Sequence, residues 1–164
     1  MDRAVVLVGT ETGNAEDLAA EFAVTLEGAG VESEVVDMED AEPRLLNGSS
    51  AVVVCTASHG LGELPDNSIG FFEALGEEWP DLEGVMFAVC GLGDSVYPDF
   101  CEAGRIWSHF LADLGATEVI ERYEIDGFPD QEDIEGACEW VEQAVERFDE
   151  LAKKRGRSGK GSPP

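Results

Sequence analysis

Lysine is missing from the first 152 of the 164 residues. The only side-chain cations there are Arg3, Arg44, Arg105, Arg122 and Arg147, five arginines against 36 acids, a formal charge of −31. The other bases, Lys153, Lys154, Arg155, Arg157 and Lys160, lie in an acid-free final dozen and bring the whole chain to −26. A body of that sign repels phosphate backbones and anionic lipid, which excludes nucleic acid and membrane as its partners. Long hydrophobic runs are missing too, since none approaches the ~18–20 residues of a spanning helix. Met1-Asp2-Arg3-Ala4 leads into a strand-like segment rather than a signal peptide, so the chain is expected in the cytoplasm. Cys55, Cys90, Cys101 and Cys138 form no C-x-x-C pair and are expected as reduced thiols. Two histidines, His59 and His109, are too few to suggest a metal site by themselves.

What the chain does contain is a core. Hydrophobic residues make up 43% of it, and their periodicity argues against the disorder that high charge alone can bring. Its length suits one domain, expected over residues 1–152, with 153–164 (KKRGRSGKGSPP) a disordered basic tail. Ala4–Val8, Ala51–Cys55 and Val85–Cys90 are continuous apolar runs, as expected of strands covered on both faces of a parallel sheet. Glu34–Val36 and Glu118–Tyr123 are more polar and read as edge strands. Helical stripes recur at Leu18, Phe22, Leu26 and Ala29, at Ile106, Phe110 and Leu114, and from Ile134 through Cys138, Val141, Val145 and Phe148 to Ala152. A shorter helix is expected over Ser68–Leu75, and a single turn at Pro43–Leu46. Five β units alternating with helices predict a doubly wound α/β fold, helices on both faces, with ligands outside the carboxyl ends of the strands.

The segments at those ends are unusual. Gly9-Thr10-Glu11-Thr12-Gly13-Asn14-Ala15 follows the first run and opens a helix. Hydroxyls and free N–H groups at a helix start suit a phosphate, and simple capping by Thr12 or Asn14 would explain the same residues. The loop has neither the G-K-[ST] of a Walker motif nor a G-x-G-x-x-G fingerprint, which disfavours nucleoside triphosphates and dinucleotides. Thr56-Ala57-Ser58-His59-Gly60-Leu61-Gly62-Glu63-Leu64-Pro65-Asp66-Asn67 follows the third strand. Gly91-Leu92-Gly93-Asp94-Ser95-Val96-Tyr97-Pro98-Asp99-Phe100 follows the fourth. Each sets glycines beside one ring-bearing residue, His59 or Tyr97, an arrangement able to sandwich a flat heteroaromatic.

In this order the three segments resemble the flavodoxin family. The second is similar to its S-T-[YHQ]-G-x-G-[DE]-x-P-x-N segment and the third to its G-L-G-[DN]-x-x-Y-x-x-F-[CN] segment. The likeness is nearest to the small MioC-type flavodoxins and to the FMN domains of diflavin reductases such as cytochrome P450 reductase and sulfite reductase. It spans about Ala4 to Leu151 and implies a five-stranded parallel sheet of order 2-1-3-4-5. It also implies that Thr10, Glu11, Thr12, Gly13, Asn14 and Ala15 hold the phosphate of FMN. Ala57, Ser58, His59, Gly60 and Gly62 would form one flavin loop, and Leu92, Gly93, Asp94 and Tyr97 the other, with Tyr97 stacked on the ring. Phe100 is grouped with that loop, although its place also suits a roof over the next helix. Asp126, after the fifth strand, is the candidate for an acidic residue near the flavin. Two departures stand out: His59 where relatives often carry an aromatic, and a carboxylate at Glu11.

The implied function is low-potential one-electron transfer, FMN supplying the chemistry. The donor would be a flavoprotein reductase of the ferredoxin-NADP⁺-reductase type, the acceptor an unidentified redox protein, and the carrier itself a monomer. No catalytic residue and no metal ligand is assigned. A signalling receiver shares the strand order but needs acids where this chain has Gly9-Thr10 and Thr56-Ala57. An FMN-dependent NAD(P)H or quinone reductase, or a module without cofactor, are the remaining alternatives. A docking patch needs only a handful of carboxylates. Acids on every helix therefore point to a halophilic protein, adapted to molar salt, where charges are screened within ~3 Å at 1 M.

Overall fold

The computed structural model describes residues 1–10, 13–58 and 63–160, without the side chains of 157–160. Its strands are β1 (Arg3–Gly9), β2 (Glu32–Asp37), β3 (Ala51–Ala57), β4 (Met86–Gly93), β5 (Thr117–Glu118) and β6 (Tyr123–Asp126). Its helices are α1 (Asn14–Gly28), α2 (Pro43–Asn47), α3 (Asp66–Glu78), α4 (Glu102–Asp113) and α5 (Gln131–Lys160), with a 3-10 turn at Met38–Asp40. All pairings are parallel, in the order β2-β1-β3-β4-β5, and β6 continues beside β4.

Side chains alternate across a strand, so an unbroken apolar run feeds two cores at once. Val6, Val8, Val53, Cys55, Ala88 and Cys90 pack on one face against Phe22 of α1 and Trp140 and Phe148 of α5. Val5, Leu7, Val52, Val54, Phe87 and Val89 pack on the other against Phe71 and Leu75 of α3 and Trp107 and Leu111 of α4. The buried stripe of α4 is Ala103, Trp107, Leu111, one residue away from the expected Ile106 and Phe110, which are half-buried. Trp107 decides this rotation. It is fully buried, stacked on Phe71 at 5.7 Å and edge-on to Phe72 at 5.4 Å.

Two expected boundaries are corrected. The single edge strand at Glu118–Tyr123 is two short strands, interrupted after Val119, whose N–H still bonds Phe87 O. The Glu121 carbonyl instead accepts from Trp140 Nε1 at 2.9 Å, which draws this stretch toward α5 and moves the second strand on to end at Asp126. The tail does not begin disordered at Lys153, because α5 continues to Lys160. Cations suit a helix C-terminus, and Arg155 donates to Gly84 O (2.9 Å) and Thr117 Oγ1 (3.3 Å).

Acids sit in the first turns of α1, α3, α4 and α5, where the helix dipole favours them, but the last turns of α1, α3 and α4 carry no base. Ion pairs among the described residues include Arg3–Glu34, Arg44–Glu42 and Arg105–Glu102, all at the surface. Among the described residues no helix is long and apolar enough to cross a membrane.

Candidate functional site

The carboxyl ends of β1, β3 and β4 face one cleft, and its narrow end is built by β1 and α1. Gly13, just ahead of α1, is left-handed (φ 88°) and offers no capping side chain. Asn14 is the first helical residue, so it does not cap as one expectation had it. The first bond of the helix runs from Asp17 N–H to Gly13 O at 3.1 Å. The N–H groups of Asn14, Ala15 and Glu16 therefore have no acceptor within the helix, and the positive end of its dipole favours an anion there. Thr10 donates its N–H to Asn67 Oδ1 at 2.9 Å and accepts from Gly13 N–H on Oγ1 at 3.0 Å. Neither bond uses the hydroxyl proton. Asn67 also donates to Val8 O and Asp37 Oδ1, tying α3 to the ends of β1 and β2. This role was missed, although Asn67 closes the second sequence motif. Ala15 is fully buried, its carbonyl accepting from the Cys55 thiol at 3.4 Å.

The broad end is built by β3, β4 and β6. A cleft of about 390 Å³ brings together Asn14, Ala57 and Ser58 with Leu92, Gly93, Asp94 and Tyr97. Asp99, Cys101, Gly127 and Phe128 also line it, and none of these four was expected to. Ser58 has a structural duty as well. Its N–H donates to Leu92 O, and its hydroxyl accepts the Ala103 N–H, capping α4 from another loop because Cys101, the residue ahead of that helix, provides no cap. Cys101 thus stands just ahead of the helix, in a left-handed conformation (φ 54°). Burial, reinforced by Glu124, pushes its thiol up to about 12, so it stays protonated at neutral pH. A Cβ on Gly93 would stand 2.7 Å from Cys101 N, closer than a Cβ atom comes to backbone.

The third loop is held from outside. Asp94 Oδ1 accepts from Val96 N–H, and Tyr97 N–H returns to Asp94 O. The Ser95 hydroxyl and N–H both donate to the Asp126 carboxylate and hold it below the ordinary aspartate range. Asp126 therefore fixes the loop and does not line the cleft. Phe100 does not line it either and is half-buried, as a roof over α4 would be. Thr10, Gly13 and Ala15 lie at the narrow end. Glu11, Thr12, His59, Gly60 and Gly62 are outside the described residues. Among the described residues, no group of three or more His, Cys, Asp or Glu is arranged for a metal ion.

An anion seat at a helix start, joined to an open cleft with one half-exposed tyrosine, defines an α/β protein that holds a phosphorylated, flat cofactor. Comparison with known proteins sharpens this class. A flavodoxin family model matches residues 6–141, and the chain belongs to the flavodoxin family. It is 36% identical over 146 residues to the sulfite reductase [NADPH] flavoprotein alpha-component of Bacillus subtilis, covering 88% of this chain and 24% of that one. The corresponding protein of Aliivibrio fischeri is 33% identical over 155 residues, covering 93% and 25%. The chain thus spans about a quarter of the length of these relatives. Among solved structures, oxidised flavodoxin 2 of Bacillus cereus superposes with TM-score 0.80 at 30% identity, covering 91% of this chain and 99% of that one. A Streptococcus pneumoniae flavodoxin gives 0.81 at 28% identity, covering 88% and 99%.

FMN, the cofactor of the family, fits what is present: uncapped N–H groups for a phosphate, and a cleft with the Tyr97 ring for the flavin.

Proposed function

We propose that this chain is a low-potential carrier of single electrons on FMN, taking them from a flavoprotein reductase of the ferredoxin-NADP⁺-reductase type and passing them to a redox acceptor protein. The observation that carries the reading is the cleft itself. It opens at the carboxyl edge of the sheet with Tyr97 45% exposed, so a bound ring system stays within reach of a docking partner. Bound FMN would supply the redox chemistry.

The protein binds and positions. The N–H groups of Asn14, Ala15 and Glu16 and the Thr10 hydroxyl hold the phosphate, and Asn67 fixes the loop that presents them. Ser58, stapled to Leu92 and Ala103, keeps the second and third loops in register. Asp94 and Asp99 line the cleft and Asp126 stands behind it, so added negative charge there is disfavoured, which lowers the potential of the second electron. The sulfite reductase flavoproteins among its relatives favour a reductase component on the acceptor side. Reductive titration of the FMN-loaded protein should resolve two one-electron steps. One concerted two-electron step, or a purified protein that takes up no FMN, overturns the reading.

The charge concerns the solvent more than the site. Acid-bearing first turns, base-free last turns and few surface ion pairs leave most of the 36 acids repelling one another. That repulsion is tolerable in molar salt, and we infer a halophilic protein whose melting temperature climbs steeply with salt. Undiminished stability at 10 mM salt overturns that inference.

A further inference from the structure

Among the described residues, the three sequence motifs bring one aromatic ring, Tyr97, into the cleft. The fold adds a second ring that no motif contains. Phe128 follows β6, lines the same cleft and is 82% exposed. The phenyl rings of Phe22, Phe87 and Phe148 are fully buried by comparison. A bare phenyl group at the lip of an open cleft is unfavourable in water and gains when a flat apolar surface covers it.

Its backbone is tied down. Gly127 turns left-handed (φ 77°) and donates its N–H to Gly93 O at 2.7 Å, while Ser95 holds Asp126. The segment bearing Tyr97 and the segment bearing Phe128 are thereby fastened into one unit. Beyond Phe128 lies a second hollow of about 180 Å³, lined also by Leu18, Pro129 and Ile134. Phe128 and Asn14 border both hollows. The ring therefore stands on the partition between the cofactor cleft and a partly apolar trough beside α1, with room on either side.

We propose that Phe128 is a wall of the cofactor site: its ring covers bound FMN from the α1 side and withdraws toward the trough when the cofactor exchanges. This rests on the FMN reading above. Its chemistry is ring-on-ring packing, so the residue governs how tightly the flavin is held and how far it is shielded, and takes no part in the redox step.

The test compares the FMN-loaded wild type with Phe128→Ala, Phe128→Trp and, as a lip control, Val96→Ala, a residue 83% exposed outside the cleft lining. FMN release is timed by dilution into excess scavenging apo-flavodoxin, and shielding is read from flavin fluorescence and its quenching by iodide. Phe128→Ala should release FMN roughly tenfold faster, the equivalent of about 1.4 kcal/mol, with brighter and more iodide-accessible flavin. Phe128→Trp should release slowly and stay quenched, and Val96→Ala should match the wild type. Release and shielding unchanged in Phe128→Ala overturn the proposal, and a loss confined to electron exchange with a reductase would make the ring a partner contact instead. A wild type that binds no FMN is a separate result and overturns the cofactor reading itself.

Discussion

Two glycines stand at opposite ends of the cleft, and they are needed for opposite reasons. Gly13, at the phosphate end, has open space around it, and what it supplies is a left-handed turn at φ 88°. Gly93, at the flavin end, needs no such turn, but a Cβ there would meet Cys101 N at 2.7 Å and Cys101 Cα at 3.2 Å. One end is a local conformation, written into a few consecutive residues. The other is a meeting of two segments eight residues apart, further fastened by Gly127 and by the Ser95–Asp126 pair from β6. The narrow end is thus made by local backbone conformation, and the broad end by packing between elements.

The largest expected effect tests the packed end. Gly93→Ala forces a methyl group against backbone that cannot swing aside, at about 3 kcal/mol in urea unfolding, and the distorted loop should lose FMN. Asn67→Ala comes next, since it strips the Thr10 N–H, the Val8 carbonyl and Asp37 of their shared partner. It should cost about 2 kcal/mol and weaken FMN binding, with the effect concentrated on the phosphate.

Gly13→Ala should be milder, about 1 kcal/mol from the left-handed backbone alone. It should weaken FMN while leaving riboflavin, which lacks the phosphate, almost unaffected in parallel titrations. If riboflavin suffers equally, the division between the two ends fails. The smallest effect sharpens the ring end. The Asp126 carboxyl lies below its ordinary value when folded, so its staple contributes at neutral pH and is lost as pH falls below the ordinary aspartate range. Ser95→Ala should raise the Asp126 titration, followed by NMR, and flatten the acid-side change in the Tyr97 loop.

The same division explains what could be read in advance. The three central strands were legible because buried parallel strands leave continuous apolar runs, and the three loops because glycines and hydroxyls gather at the carboxyl ends of those strands. The break between β5 and β6 was not legible, since it depends on Trp140 reaching the Glu121 carbonyl nineteen residues away. The rotation of α4 was missed because Ile106 and Trp107 are both apolar, and only the neighbouring Phe71 and Phe72 choose between them. The bond from Ser95 to Asp126 was not legible either, since it joins residues thirty-one positions apart.

By itself the sequence determined the layered α/β fold and the family, because each rests on periodicity or on motifs of residues adjacent in the chain. It also determined the charge, −31 before residue 153 and +5 after it. Only the tertiary structure decided that the basic segment continues α5, with Arg155 at Gly84 and Thr117, and that Phe128 stands opposite the motif loops. The reason is common to both: a contact between distant residues leaves no spacing in the chain, and its partners meet only once the sheet has brought its edges together.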